Sequence, residues 1–347
     1  MNRLKGEFEK QRAIVMLFPA RKDVWRHDCA PIRRSMVELA NILSEHVPVI
    51  MGVLPALMDV AKNEYSFSSG VKLVKMKYND CWSRDSISSV VSGERPYISA
   101  FEFNAYGGEL YFPWDDDNRL DNVIAKEFKY PIKRSPLTLE GGNMLPDGAG
   151  TLFAVKDAIV NDNRNPDFSL EQIETLLKEA TASEQIVWIE QGLVGDETGG
   201  HIDNVMTLAD HNTILLSWTD DESNPQYKVT HEIGERLSRV KNTKGEPYRI
   251  VHVPVPELYY RTDDDSDSIE AVDGSFPRKE GDAVLETYVN IALSNGIVVV
   301  PQFGSPLDAE ALAIISSAFP DRKVVGLDGR EATLGGGGFH CLTKHIH

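Results

Sequence analysis

The feature that most limits what this chain can fold into is a repeated alternation of short apolar runs with single helix-length segments. Residues 13–18 form an apolar run that Pro19 ends. Ile32, Met36, Leu39, Ala40 and Leu43 then recur with helical spacing, and residues 47–53 form a second strand-like run. A helix near 55–63 and a strand over 71–76 follow. Further strands are expected over 101–104, 151–155, 186–189, 205–208, 248–255, 288–293, 296–301 and 323–327, with helices over 169–179, 227–240 and 309–319. Such alternation indicates an α/β chain. No Pro/Ser-rich linker divides it, so residues 1–347 are expected to form a single domain.

Composition enters through what it excludes. The formal net charge of −17 argues against a nucleic-acid partner, whose binding rests on clustered Lys and Arg. An acidic surface suits a cationic small molecule better. No apolar run approaches the roughly 20 residues a membrane span needs. The first residues lack the apolar stretch of a signal peptide. Three cysteines, Cys29, Cys81 and Cys341, are too few for a disulfide framework. A cytoplasmic protein is the expectation.

Glycine pairs mark the positions of interest: Gly107-Gly108, Gly141-Gly142, Gly199-Gly200 and the run Gly335–Gly338. Each flanks a strand-like run and carries polar residues nearby. The spacing is irregular, so no sequence repeat is claimed. The pattern suggests similar units that each send one loop to a shared centre. The last run delivers Cys341, either as a thiol carried into a site or as a buried free cysteine. Asn79–Asp85 places Asp80, Trp82, Arg84 and Asp85 directly after a strand, where functional residues tend to sit. It reads either as a surface turn with an ion pair or as a cradle for a planar cation. Glu140 precedes Gly141-Gly142, and residues 146–150 read as a hairpin turn. His201 and Asp203 follow Gly199-Gly200, and on an extended segment they would share a face. A metal reading of His-x-Asp is weak, because further ligands are not recognisably spaced. Asp115–Asp117, beside Trp114, reads first as a turn and helix cap. The acidic stretch 262–267 reads as a solvated face.

Together these candidates supply a thiol (Cys341), an imidazole (His201), three carboxylates (Asp85, Glu140, Asp203) and an indole (Trp82). A Cys with a His is the set for covalent nucleophilic catalysis. Acyl transfer needs donors at its oxyanion, and surplus carboxylates do not provide them. Carboxylates do suit a guanidinium, a planar fork of N–H donors that they hold in bidentate fashion. The residue types therefore favour thiolate attack on a guanidinium over peptide hydrolysis.

Several motifs in order resemble one family. They include Glu7-Phe8-Glu9, Phe18-Pro19, Asn79-Asp80-Cys81-Trp82-Ser83-Arg84-Asp85, Asn104-Ala105-Tyr106-Gly107-Gly108 and Tyr111-Phe112-Pro113-Trp114-Asp115. Glu140-Gly141-Gly142, Glu197-Thr198-Gly199-Gly200-His201-Ile202-Asp203 and Gly335-Gly336-Gly337 with His340-Cys341 continue the match. The chain resembles the agmatine deiminases of the guanidino-modifying (pentein) superfamily, relatives of bacterial peptidylarginine deiminases. The resemblance implies a five-bladed pseudo-symmetric α/β propeller with a central active site. It implies Cys341 as nucleophile and His201 as the group that protonates ammonia and then activates water. Asp85 and Asp203 would hold the guanidinium, and Glu140 would orient His201 or the substrate. Trp82, Trp114, Glu197 and Gly337 would line the substrate pocket. It implies no metal and no cofactor, agmatine as the small cationic partner, and a homo-oligomer.

Departures from the family pattern fall at Ser86, Gly199, Gly338 and Phe339, where the pocket wall is expected. Rival readings are a deiminase of free or C-terminal peptidyl arginine, an amidinotransferase, or a non-catalytic guanidinium-binding homologue. Asp196 and Glu197, with the overall acidity, favour the dication agmatine over arginine.

Overall fold

In the computed structural model, which describes residues 2–347, most of the apolar runs become central strands followed by crossover helices. The strand Ala13–Leu17 is buried throughout, leads into helix Ala30–Ser44, and pairs in parallel with Val49–Val53. Parallel neighbours require such a crossover, and a helix supplies it. The helix sets Ile32, Met36, Leu39, Ala40 and Leu43 against the sheet, all fully buried. Helix Leu170–Thr181 starts on a capping box between Ser169 and Gln172 and turns Ile173 and Leu177 inward.

The same arrangement occurs five times. Each unit has a short strand antiparallel to a longer one, then a helix, then a strand parallel to the longer one. The antiparallel pairs are Ser89–Ser92 with Tyr97–Glu102, Leu145–Pro146 with Thr151–Val155, Met206–Asp210 with Thr213–Trp218, and Ala292–Leu293 with Ile297–Gln302. The fifth pair joins Lys344–Ile346 to Ala13–Leu17, so one sheet holds strands from both ends of the sequence. The parallel partners are Ile132–Thr138, Gln185–Ile189, Arg249–Pro254, Lys323–Asp328 and Val49–Val53. Val71–Lys75 and Arg3–Leu4 each extend one sheet, and Tyr259–Tyr260 with Ala283–Val284 forms a separate ribbon.

Every short first strand is entered through a tight turn. Four of the entries are the single-turn helices Ser83–Ser86 and Ile202–Val205, the turn Gly141–Asn143, and the turn over 339–342. The fifth, over 288–290, leads to Ala292–Leu293. These entry turns carry nearly all of the chemistry described below.

Several local expectations need correction. The strand expected over 288–293 shrinks to Ala292–Leu293, because 288–290 is an entry turn. His201 and Asp203 do not lie on an extended segment: His201 caps the turn Ile202–Val205 and Asp203 lies within it. The strand expected over 101–104 runs instead over Tyr97–Glu102, and Asn104 caps the next turn with its side chain. The acidic stretch is not simply solvated. Thr262 and Asp265 cap each other, and Asp265 is buried, accepting from the Tyr259 hydroxyl at 2.6 Å. Ile132–Thr138 is masked in the sequence by Lys133, Arg134 and Pro136, and its register with Tyr97–Glu102 shifts near that proline, where a missing N–H is tolerated.

The pairing of the two ends generates the first prediction. Ile346 is fully buried in the largest core cluster. Replacing Ile346 with Ala should lower the unfolding free energy by about 2–5 kcal/mol, read as a lower urea midpoint at unchanged slope.

Candidate active site

The turn Ser83–Ser86 is tied to the turn that carries Cys341. The Ser83 hydroxyl donates to the carbonyls of Val15 and Leu342, each at 3.0 Å, and the Arg84 N–H donates to the Cys341 carbonyl at 3.2 Å. Asp85 therefore faces the thiol's turn. Its Oδ1 accepts from the Gly142 N–H at 2.7 Å and its Oδ2 from the Tyr106 hydroxyl at 2.8 Å.

His201 is wholly buried between two acids. Its Nδ1 lies 3.7 Å from Asp85 Oδ1, and its Nε2 lies 3.7 Å from Glu140 Oε2. Glu140 is itself clamped by Arg164, whose Nε donates to both carboxylate oxygens at 2.9 and 3.0 Å. Arg164 also donates to the Thr198 carbonyl at 2.7 Å, which links Glu140 to the loop before His201. Asp203 Oδ2 is shared by the His340 ring at 2.7 Å and the Cys341 thiol at 3.4 Å. The thiol also receives the Asn290 amide N–H at 3.2 Å.

Gly142 shows how tightly these groups converge. A Cβ there would lie 2.6 Å from His201 Nδ1, 2.8 Å from Asp85 Oδ1 and 3.0 Å from Asp203 Oδ2. Only a residue without a side chain leaves the space between them open. Both ring nitrogens of His201 and Oδ1 of Asp203 are buried with no hydrogen-bond partner. Buried polar atoms are nearly always paired, so these unpaired ones on two residues of the site leave partners for a polar ligand.

The electrostatics separate the roles. Burial alone would drive the proton off His201, but Asp85, Glu140 and Asp203 outweigh it and raise its pKa to about 9. Burial, reinforced by Asp203 and Asp85, pushes the Cys341 thiol well above its ordinary value. Burial opposes ionisation of Glu140 too, yet Arg164 and His201 hold it below the usual range. For Asp203 burial is outweighed by His340 and His201, and its carboxyl stays low. Asp85 moves the other way: burial, with Asp203 nearby, raises it. At neutral pH the site holds an imidazolium and a protonated thiol.

The remaining expected residues divide. Trp82 is buried, and its ring meets Gly337, where a Cβ would come within 2.7 Å of the indole and 3.1 Å of Cys341 Cβ. Glu197 lines a narrow cleft with Asn290, Gly336 and Gly337, but its carboxylate is paired with Arg278 at 2.6 Å. Asp196 organises its own loop, accepting from the N–H groups of Thr198 and His201 and from the Asn204 amide. Trp114 packs edge-on to exposed Phe112 and over Gly108, beside the turn that carries Tyr106. The Ser86 hydroxyl donates to the Trp82 carbonyl at 3.0 Å, and Phe339 is buried in the largest core cluster.

Sequence reasoning missed Asn290, Arg164, Arg278 and the partners of His340. Asn290 follows no glycine pair, and Arg164 stands in a loop that reads only as turn-rich. The usable signal for Asn290 is its placement: Asn143, Asn204 and Asn290 each stand two residues before a short first strand.

Comparison with known proteins agrees with this geometry. A family model for Porphyromonas-type peptidyl-arginine deiminase matches residues 3–346. A curated protein of Latilactobacillus sakei named "Putative agmatine deiminase" is 35% identical over 350 residues, covering 99% of this chain and 95% of the relative. Among solved structures, agmatine deiminase of Enterococcus faecalis superposes with a TM-score of 0.95 at 30% identity, covering 99% of this chain and 95% of that one. A cysteine-to-serine variant of the C. jejuni agmatine deiminase, with substrate bound, superposes with a TM-score of 0.85 at 26% identity, over 100% and 96% of the two chains. With nearly every residue matched by the family model and a curated relative above 30% identity along its length, the chain belongs to the Porphyromonas-type peptidyl-arginine deiminase family.

Proposed function

We propose that this protein is an agmatine deiminase, hydrolysing the guanidinium of agmatine to give N-carbamoylputrescine and ammonia through an amidino-cysteine intermediate. The observation that carries the reading is the set of unpaired buried atoms on His201 and Asp203, beside the Cys341 thiol and between Asp85 and Glu140. A guanidinium offers planar N–H donors for the acids and an electrophilic carbon for sulfur. The names of the relatives point the same way.

Asp85 and Asp203 take the guanidinium nitrogens. The bound cation lowers the pKa of the thiol, which releases its proton to solvent, and Cys341 Sγ forms a bond to the guanidinium carbon as the C=N π pair moves onto nitrogen. His201 gives its proton to the departing nitrogen, and the C–N bond breaks to release ammonia. A thiouronium remains on sulfur. Neutral His201 then takes a proton from water, whose oxygen adds to the same carbon; the C–S bond breaks, and the proton left on that oxygen passes to the departing sulfur, which restores the thiol and forms the product carbonyl. Glu140, fixed by Arg164, holds the imidazole through both half-reactions. Asn290 supplies a donor to the sulfur when it carries charge.

The fold component of the proposal is a single domain in which the five sheets close around one axis as a five-bladed propeller, with the entry turns at the centre. Its support is the shared order of strand, strand, helix and strand, and the meeting of five entry turns at one site. A cytoplasmic setting follows from the sparse cysteines, and a homo-oligomer from the family resemblance.

A second reading has one observation in its favour. Arg278 beside Glu197 places a cation at the cleft, where a substrate carboxylate would sit. That arrangement suits arginine or a C-terminal peptidyl arginine. Ammonia release from agmatine, arginine and a peptide ending in arginine decides between the two. The agmatine reading expects kcat/KM for agmatine to exceed that for the others by about 100-fold, because the acids at the site repel a carboxylate. Comparable turnover of arginine would overturn it. Cys341→Ala should release no ammonia from any of the three.

Two further outcomes follow from the geometry. Gly142→Ala should lower kcat/KM by about 100-fold or more and also lower the thermal midpoint, since its methyl overpacks the buried point where three groups meet. The protonated thiol predicts selective labelling. A cationic haloacetamidine should alkylate Cys341 faster at neutral pH than a neutral haloacetamide, reversing the order seen with a free thiol. Equal preference in the protein and in free cysteine would count against cation-assisted ionisation.

A further inference from the structure

His340 precedes the nucleophile, yet its ring turns away from the sulfur. Both ring nitrogens meet carboxylates at hydrogen-bond distance: Nδ1 to Asp203 Oδ2 at 2.7 Å and Nε2 to Glu7 Oε2 at 2.7 Å. An ionised carboxylate only accepts, so two such contacts require N–H on both nitrogens. The other oxygen of Glu7 accepts from Arg84 Nη1. Arg84 in turn faces His345 Nδ1 at 3.0 Å, and His345 Nε2 donates to the Leu293 carbonyl at 2.7 Å. That last bond fixes His345 as a neutral acceptor toward Arg84. The charges of Glu7, Arg84, His340 and Asp203 therefore alternate and sum to zero in a region closed to water.

We propose that Glu7 and His340 are positioning residues: a buried Glu7–His340–Asp203 chain holds Asp203 as an anion in one orientation and leaves its Oδ1 for the substrate. The inference rests on the deiminase reading above and extends it to residues that touch no substrate. Asp203 Oδ2 is occupied by His340 and the thiol, whereas Oδ1 is buried and unpaired. A carboxylate anchored through one oxygen presents the other in a fixed plane and direction to a guanidinium N–H. The groups facing His340 are Glu7, Asp203, Arg84 and His345; those facing Asp203 are His340, His201, Asp85 and Cys341. Burial and Arg84 disfavour the charged form of His340, and the two carboxylates outweigh them.

The chain is tested by binding rather than turnover. Agmatine binding to Cys341→Ala is followed as a function of pH, alone and combined with His340→Gln or Glu7→Gln. Losing the cation beside Asp203 raises its pKa, so the acid limb of binding should move up by about 1–3 pH units with His340→Gln. Glu7→Gln, which keeps the shape and removes the charge, should move it in the same direction by less. A merely structural role would lower the thermal midpoint and leave the acid limb in place, and that result overturns the proposal. Nitrogen-15 spectra of the unmodified protein give an arm that no folding defect can reach. Two protonated ring nitrogens on His340 at pH 7 are expected, and a neutral ring overturns the chain. If the unmodified protein releases no ammonia and Cys341→Ala binds no agmatine, the deiminase reading fails, and the nitrogen spectra still decide the charge of His340.

Discussion

The clamp of Arg164 on Glu140 shows the constraint under which the whole centre is built. Carboxylates buried this close together would repel one another and take up protons if left alone. Each is answered locally: Glu140 by Arg164, Glu7 by Arg84 and His340, Asp203 by His340, and Asp85 by the Gly142 N–H and the Tyr106 hydroxyl. Those answers are unequal. Glu140 and Glu7 are fully satisfied and stay charged, whereas Asp85 has only neutral donors in direct contact and is raised. Asp85 and the unpaired Oδ1 of Asp203 are thus the acceptors left for the N–H donors of a cation, with the His201 imidazolium 3.7 Å from Asp85.

The same constraint accounts for the state of the sulfur. A thiolate set among these acids without a counter-ion would be costly, so the thiol stays protonated until a cation arrives. The imidazole between Asp85 and Glu140 is charged for the converse reason. Nucleophile and acid are each held in the form that the empty site favours. The entry of positive charge moves the sulfur toward the form that can attack, while the imidazolium already carries the proton that departing ammonia needs.

Much of this is legible without any coordinates, and the reasons differ residue by residue. Cys341, His201 and Glu140 stand out because glycine pairs mark entry turns that approach one another closely, as Gly142 demonstrates, and Asp85 because its segment directly follows a strand. The α/β class is readable because central strands such as Thr151–Val155 are buried throughout and so apolar throughout. Ile132–Thr138 is not, since its exposed lysine and arginine break the apolar run. The pairing of His201 with Asp203 is expected from the sequence for a wrong reason: a helical turn, not an extended face, brings them together. Arg164, Asn290 and the Glu7–His340 contact are invisible because their meaning lies in pairings across 24, 51 and 333 residues, which no local pattern encodes.

Strand Lys344–Ile346 lies against Ala13–Val15, the Arg12 N–H donates to the Ile346 carbonyl at 2.7 Å, and the His347 ring reaches the Lys10 carbonyl. The last strand of the described chain and Ala13–Leu17 are thus neighbours inside one sheet, while Arg3–Leu4 pairs in another. Joined by a short linker and reopened in a surface loop between two other units, the chain would keep every sheet and every entry turn. The order in which the units are threaded is then a convention of synthesis. Circular permutation should preserve the chemistry wherever the new cut spares the turns.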